Sequence, residues 1–221
     1  MVKEKDEVIL RMIFLRITLF LFVSLLLTCL LVFNLSFYKI IFEKNKIYEN
    51  LETRGVPNQE FIFAEENLIS FHSNKDALDR WRYNDKEYAH LQDVNKLFKL
   101  GIFFLVLSFF LLSGFSFDQI KKQIRFVGKI MIFSSLIFLI FALMFSQFFE
   151  LFHRVIFSGF FGNELWLLAN EDILLAMHPD VFFRDFFASI ISLQLITGLI
   201  LLFYGKKINK SSFLGKSLSK N

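Results

Sequence analysis

Four stretches of this chain stay uncharged for long enough to cross a bilayer, and nothing else in it limits the fold so tightly. Arg16 and Lys39 bracket 22 uncharged residues (17–38), and Lys99 and Asp118 bracket 18 (100–117). Lys129 and Glu150 bracket 20 (130–149), and Asp185 and Lys206 bracket 20 (186–205). A hydrocarbon core of about 30 Å needs roughly 20 helical residues. Inside it every backbone N–H and C=O must be satisfied within its own segment, which makes these stretches helices and not strands. With 55% hydrophobic residues and a mean hydropathy of +0.51, the chain is too apolar for a soluble domain. The expected fold class is an all-α membrane protein: one membrane domain over 1–221, four transmembrane helices, and a mainly helical extracytoplasmic cap formed by 39–99 and 150–185.

The distribution of Lys and Arg orients the spans. Thirteen lie in the 44 residues of the N-terminal segment, the 118–129 loop and the tail, against twelve in the 97 residues of the two long connections. Short cation-rich connections stay inside, so both termini are expected in the cytoplasm of a multi-pass cell-membrane protein. The net charge of +4 then marks the cytoplasmic edge and implies no nucleic acid. The first stretch is too long for a cleaved signal peptide and lacks an Ala-x-Ala site. Cys29 within it reads as a buried small hydrophobe, and a single Cys excludes an internal disulfide.

The first long connection has turn signals at 54–58. Beyond them residues 59–64 read as a short strand and 66–71 as a short helix. From Asp85 a helical period (Tyr88, Leu91, Val94, Leu97, Phe98) leads into the second span. The second long connection is dense in Phe and contains Trp166, a composition suited to the lipid–water interface.

All four His, at 72, 90, 153 and 178, lie in these two connections. His90 precedes the second span and His153 follows the third. Those spans are joined by a short loop, so their outer ends are neighbours and the two His share one depth. Glu87 and Asp93 flank His90 at three residues, and Glu150 precedes His153 by three. Ionisable groups at a membrane edge are expensive and tend to be functional. Imidazole suits general acid–base work near neutral pH. Ordinary interfacial polarity is the alternative, and for His72 and His178 it is the preferred one.

No Gly-x-Ser-x-Gly, phosphate loop or dinucleotide fingerprint is present, and the only Cys sits in the first span. An enzyme of this kind would take its nucleophile from substrate or water. Glu87 with His90, and Glu150 with His153, match the Glu-x-x-His pattern of di-iron bundles. That set needs two further carboxylates, which the first and fourth spans lack and only Glu65 or Glu66 could supply. The expectation is therefore no metal and no cofactor, with a di-iron or haem membrane redox protein as the alternative.

The run Glu87, His90, Leu91, Asp93, Val94, together with Phe152, His153, Arg154, Phe157 and the downstream Asn163, Trp166, Pro179, Phe182 and Phe183, resembles the bacterial lipoprotein intramolecular transacylase (Lit) family. Span order and loop lengths are similar too, whereas His178 before Pro179 departs from the pattern. The resemblance implies an acyltransferase at the outer face of the cytoplasmic membrane of Gram-positive bacteria. Such an enzyme moves the sn-2 acyl chain of a diacylglyceryl lipoprotein to the α-amine of its N-terminal Cys, giving the lyso form. The partners implied are that lipoprotein and membrane lipids. His90 and His153 would be catalytic, with Glu87, Asp93, Glu150 and Arg154 in support, the three acids fixing ring tautomers. Phe157, Asn163 and Trp166 would hold substrate. A non-enzymatic accessory or lipoprotein-binding factor is the reading from another class.

The cation count generates a test of orientation. In a Cys29→Ala background, Cys placed at 75 or 164 should react with an impermeant maleimide on intact cells, and Cys at 122 should not. The reverse pattern would invert the arrangement.

Overall fold

A computed structural model of the chain describes residues 2–169 and 171–218, apart from the side chains of 2–4, 145–147 and 208–218. Among the described residues every regular element is helical. The α-helices are α1 (Val2–Val32), α2 (Leu35–Lys44), α3 (Ile47–Thr53), α4 (Asn58–His72), α5 (Asp85–Ser113), α6 (Phe117–Leu143), α7 (Phe145–His153), α8 (Ile173–Met177) and α9 (Asp180–Leu218). A 3₁₀ turn, Arg80–Arg82, precedes α5, and a π-helical stretch, Arg154–Phe161, continues α7. Four helices are long and apolar enough to cross a membrane: Lys5–Val32, Asp85–Ser113, Phe117–Leu143 and Asp180–Lys207.

Two helix ends fall inside the uncharged stretches. α1 stops at Val32, and Asn34 then caps α2, its side chain accepting the Phe37 N–H at 3.3 Å. α6 stops at Leu143 before a break at Met144. The short strand expected at 59–64 is overturned, because those residues belong to α4. Their buried members, Phe61, Ala64, Glu65, Leu68, Phe71 and His72, recur every three or four residues and line one face of a helix.

The chain divides into two compact units. One comprises Met1–Thr28, Ile102–Leu139 and Ile190–Asn221. Its buried centre is small (Leu15, Leu19, Leu112, Val127, Met131), while Phe103, Phe110, Phe133 and Phe203 point outward. A surface this apolar suits lipid, where burial drives little of the helix association and close packing must do it. Accordingly α6 and α9 touch backbone to backbone. A Cβ on Gly128 would lie 2.7 Å from the Gly198 carbonyl oxygen and from the Leu202 nitrogen. Polar clasps accompany the contact: the Gln194 amide donates to Ser134 Oγ at 2.8 Å, and Arg16 Nε donates to Gln123 Oε1 at 2.7 Å.

The other unit, Cys29–Gly101 with Ile140–Ser189, has a larger core built on Phe42, Ile47, Leu51, Phe61, Met177 and Phe182. Asp185 ties the start of α9 to the end of α2 through Lys44 at 2.7 Å and Asn45 at 2.9 Å. All four His lie in this unit.

The α6–α9 contact predicts opposite effects for two glycines. Gly128→Ala should destabilise the protein in detergent by about 1–3 kcal/mol, because only backbone could yield. Gly101→Ala, which meets nothing within 4 Å, should be neutral or slightly stabilising. Thermal unfolding of the two variants side by side checks the contrast.

Candidate functional site

The start of α5 sets the site. Asn84 and Glu87 form a capping box: Glu87 Oε2 accepts the Asn84 N–H at 2.8 Å, and Asn84 Oδ1 accepts the Glu87 N–H at 2.9 Å. The second Glu87 oxygen accepts the Leu174 N–H at 2.7 Å, fastening α8 to α5. One buried carboxylate thus serves two helix starts. The face that follows is buried and polar, carrying His90, Asp93 and Asn95 beside Leu91.

His90 is 7% exposed, its ring 4.7 Å from that of Phe157. His153, at the end of α7, stacks on the same Phe157 ring at 5.4 Å and lies 5.6 Å from Trp166. The two imidazoles predicted from sequence therefore come together with one phenyl ring as a shared neighbour. The π-helical stretch makes this possible, since its wider turn carries Phe157 (2% exposed) under His153 while Gly162, at φ +70°, ends the coil and returns the chain. Trp166 is then pinned by its indole N–H donating to Ser158 Oγ at 3.0 Å.

The tautomer of His153 follows from its partner. Nδ1 is 2.8 Å from the Phe149 carbonyl oxygen, which can only accept, so Nδ1 carries the proton and Nε2 keeps its lone pair. Burial holds this imidazole below its ordinary value, against the Phe149 bond and the charge of Asp180, which both raise it. At neutral pH His153 is an uncharged base with one open nitrogen. Nδ1 of His90 is buried with no hydrogen-bond partner. Among the described residues no Ser, Thr or Cys hydrogen-bonds either ring.

The acids do other work than sequence spacing implied. None of the three flanking carboxylates fixes a His tautomer. Glu87 caps helices as above. Asp93 accepts from Lys96 at 2.7 Å and from the Asn163 amide at 2.8 Å. Glu150 pairs with Arg154 at 2.6 Å, both largely exposed. The cause is geometric: a residue three along a helix lies on the same face, yet side-chain direction decides what it meets. Asn163, expected to hold substrate, spends its amide on Asp93 and its oxygen on the Leu165 N–H at 3.1 Å. It locks the loop after the π-helix onto α5. Lys86 Nζ donates to the Leu167 carbonyl and holds the same loop. The Asn84-x-x-Glu87 box was readable in the sequence; the Asp93–Asn163 tie was not.

The second Glu-x-x-His motif points its carboxylate at Arg154, and Glu65 lies against His178 at 3.0 Å. Among the described residues, no three His, Cys, Asp or Glu side chains gather as a metal-ion cluster.

A family described as lipoprotein intramolecular transacylase Lit has a model that matches residues 13–183. No curated protein matches the chain. Among solved structures, the in meso structure of the membrane integral lipoprotein intramolecular transacylase Lit from Bacillus cereus is similar over 96% of this chain and 99% of that one. The TM-score is 0.72 at 17% identity, a likeness of fold.

One further imidazole generates a pH prediction. Burial pushes His72 down to about 3, with Asn95 opposing and the charges of His178 and His90 adding a little. Its folded value lies below the unfolded value of 6.5, so its contribution is complete above pH ~6.5. That contribution is lost at about 1.4 kcal/mol per pH unit as pH falls towards 3. Unfolding free energy measured from pH 7 to 4 should fall less steeply in His72→Gln than in the wild type. Parallel acid limbs would refute the buried neutral state.

Proposed function

This chain belongs to the lipoprotein intramolecular transacylase Lit family, and we propose that it moves the sn-2 acyl chain of a diacylglyceryl lipoprotein to the α-amine of that lipoprotein's N-terminal Cys. It is a multi-pass membrane protein; within this reading both termini are cytoplasmic and the site works at the extracytoplasmic face. The observation that carries the proposal is a site with a poised base that, among the described residues, no Ser, Thr or Cys hydrogen-bonds. Substrate supplies the nucleophile as an amine.

In the proposed reaction the amine nitrogen attacks the sn-2 ester carbonyl while Nε2 of His153 takes its proton. The new N–C bond forms, the sn-2 C–O bond breaks, and the glycerol oxygen leaves with the proton returned to it. His90 stabilises the developing negative charge on the carbonyl or leaving oxygen. Phe157 and Trp166 line the place where the reacting groups meet, with Asn163 and Asp93 holding the wall. Amine and ester belong to one molecule, so orientation alone lowers the barrier substantially. Balance is internal: no acyl chain is gained or lost, and no cofactor is consumed.

Mass spectrometry of a model lipoprotein's N-terminal peptide tests the reaction. Expression of the chain should leave peptide mass unchanged while tandem fragmentation moves one acyl group from glycerol to nitrogen. A phospholipid-dependent N-acyltransferase would add a chain, and a lipase would remove one. Unchanged mass with every acyl still on glycerol overturns the proposal. His90→Ala and His153→Ala should each lower turnover by roughly 100- to 10,000-fold. Near-normal turnover in either folded variant would end the two-His mechanism.

A further inference from the structure

A second ionisable pair lies in the same unit, away from the His90–His153 rings. Nε2 of His178 is 3.0 Å from Oε2 of Glu65, with the side chains 7% and 1% exposed. The two side chains meet at contact distance, although neither Glu65 oxygen receives a well-directed hydrogen bond. Tyr38, Tyr48 and Tyr83 all feel the Glu65 charge, and His72 feels that of His178. An apolar pair would fill this space at less cost in desolvation. What the pair does hold is a corner.

His178 caps the end of α8 and precedes Pro179 at the entry to α9. α8 is therefore gripped twice by buried carboxylates: at its start by Glu87 through the Leu174 N–H (2.7 Å), and just past its end by Glu65. Beyond the corner the chain delivers two rings. Phe182 stacks on Phe42 at 5.4 Å and meets His178 edge-on at 4.8 Å. Phe183 lies 4.8 Å from Phe149. The Phe149 ring is 4.0 Å from His153, and the Phe149 carbonyl accepts a hydrogen bond from His153 Nδ1–H.

We propose that Glu65 and His178 are positioning residues, whose pairing fixes the α8–α9 corner so that Phe183 braces Phe149 and Phe149 aims His153. The inference rests on the transacylase reading above. It assigns a task to a His that sequence alone placed among ordinary interfacial residues.

The test uses the full chain in detergent with a synthetic diacylglyceryl lipopeptide, and each variant is first shown to unfold cooperatively. Glu65→Ala and His178→Ala should lower kcat about 10- to 100-fold with KM within about twofold, since orientation is lost and not binding. His178→Gln, which keeps an N–H group within reach of Glu65, should recover kcat to within about threefold of wild type. Where a single alanine variant fails to fold, Glu65→Ala/His178→Ala leaves no polar partner stranded in the core and should show the same loss of kcat.

A second readout does not depend on turnover. In a Trp81→Phe background Trp166 is the sole indole, and it lies 5.6 Å from His153. Imidazolium quenches indole, so a pH titration of Trp166 emission reports His153. Asp180, the Glu150–Arg154 pair and His90 are the charged and titratable groups around that ring, and the variants leave them all in place. The midpoint should shift by about half a pH unit or more in the alanine variants and stay put in His178→Gln. Wild-type kcat and midpoint in the alanine variants, or equal damage in His178→Gln, would overturn the assignment. If the wild type fails to convert the lipopeptide, the transacylase reading falls and the Trp166 titration still decides the positioning claim.

Discussion

The carboxylate of Glu87, 2% exposed, is the contact on which the functional unit depends. Its two oxygens take the N–H groups of Asn84 and Leu174, one opening α5 and the other fastening α8. Unsatisfied backbone donors at buried helix starts cost about 1–3 kcal/mol each, and a charged acceptor answers them better than a neutral one. Because α5 starts where it does, His90, Asp93 and Asn95 all turn into the interior. Because α8 is fastened, the chain re-enters α9 with Phe182 and Phe183 facing the core and the His153 stack.

Aromatic packing also sets the protonation state of the candidate site's imidazole. Phe157 touches both imidazoles, Phe149 and Trp166 enclose His153, and each ring removes water that would otherwise favour imidazolium. The same enclosure keeps His153 uncharged, with one nitrogen open and the other fixed by a main-chain carbonyl. A carbonyl orients a ring without contributing a charge. The carboxylates nearby are left to tie loops: Asp93 to Lys96 and Asn163, Glu150 to Arg154.

How far the sequence could be read depended on which force acted. Charge brackets located the four long helices because desolvating a charge in lipid is prohibitive. They overran helix ends at Val32 and Leu143, because an uncharged Asn34 or Met144 can stop a helix without leaving the apolar stretch. Residues 59–64 looked extended in a six-residue window, and only the longer run through His72 displays the helical period. That His90 and His153 lie close together followed from chain order and depth. The reading of their flanking acids failed, since three-residue spacing places side chains on one face and says nothing of competing partners.

The sequence by itself determined the class of molecule, its four long apolar helices, the helical start at Asp85 and the two imidazoles worth attention. These follow from hydropathy, charge and local period, which act over a few residues at a time. Only the tertiary structure decided that Phe157 serves both His, that His153 protonates at Nδ1, and that Asp93 meets Asn163. It also decided that Glu65 meets His178. The His90–Phe157, Asp93–Asn163 and Glu65–His178 contacts join positions 67, 70 and 113 residues apart. No local pattern encodes them, because a buried polar group takes whichever partner the packing of other elements brings within reach.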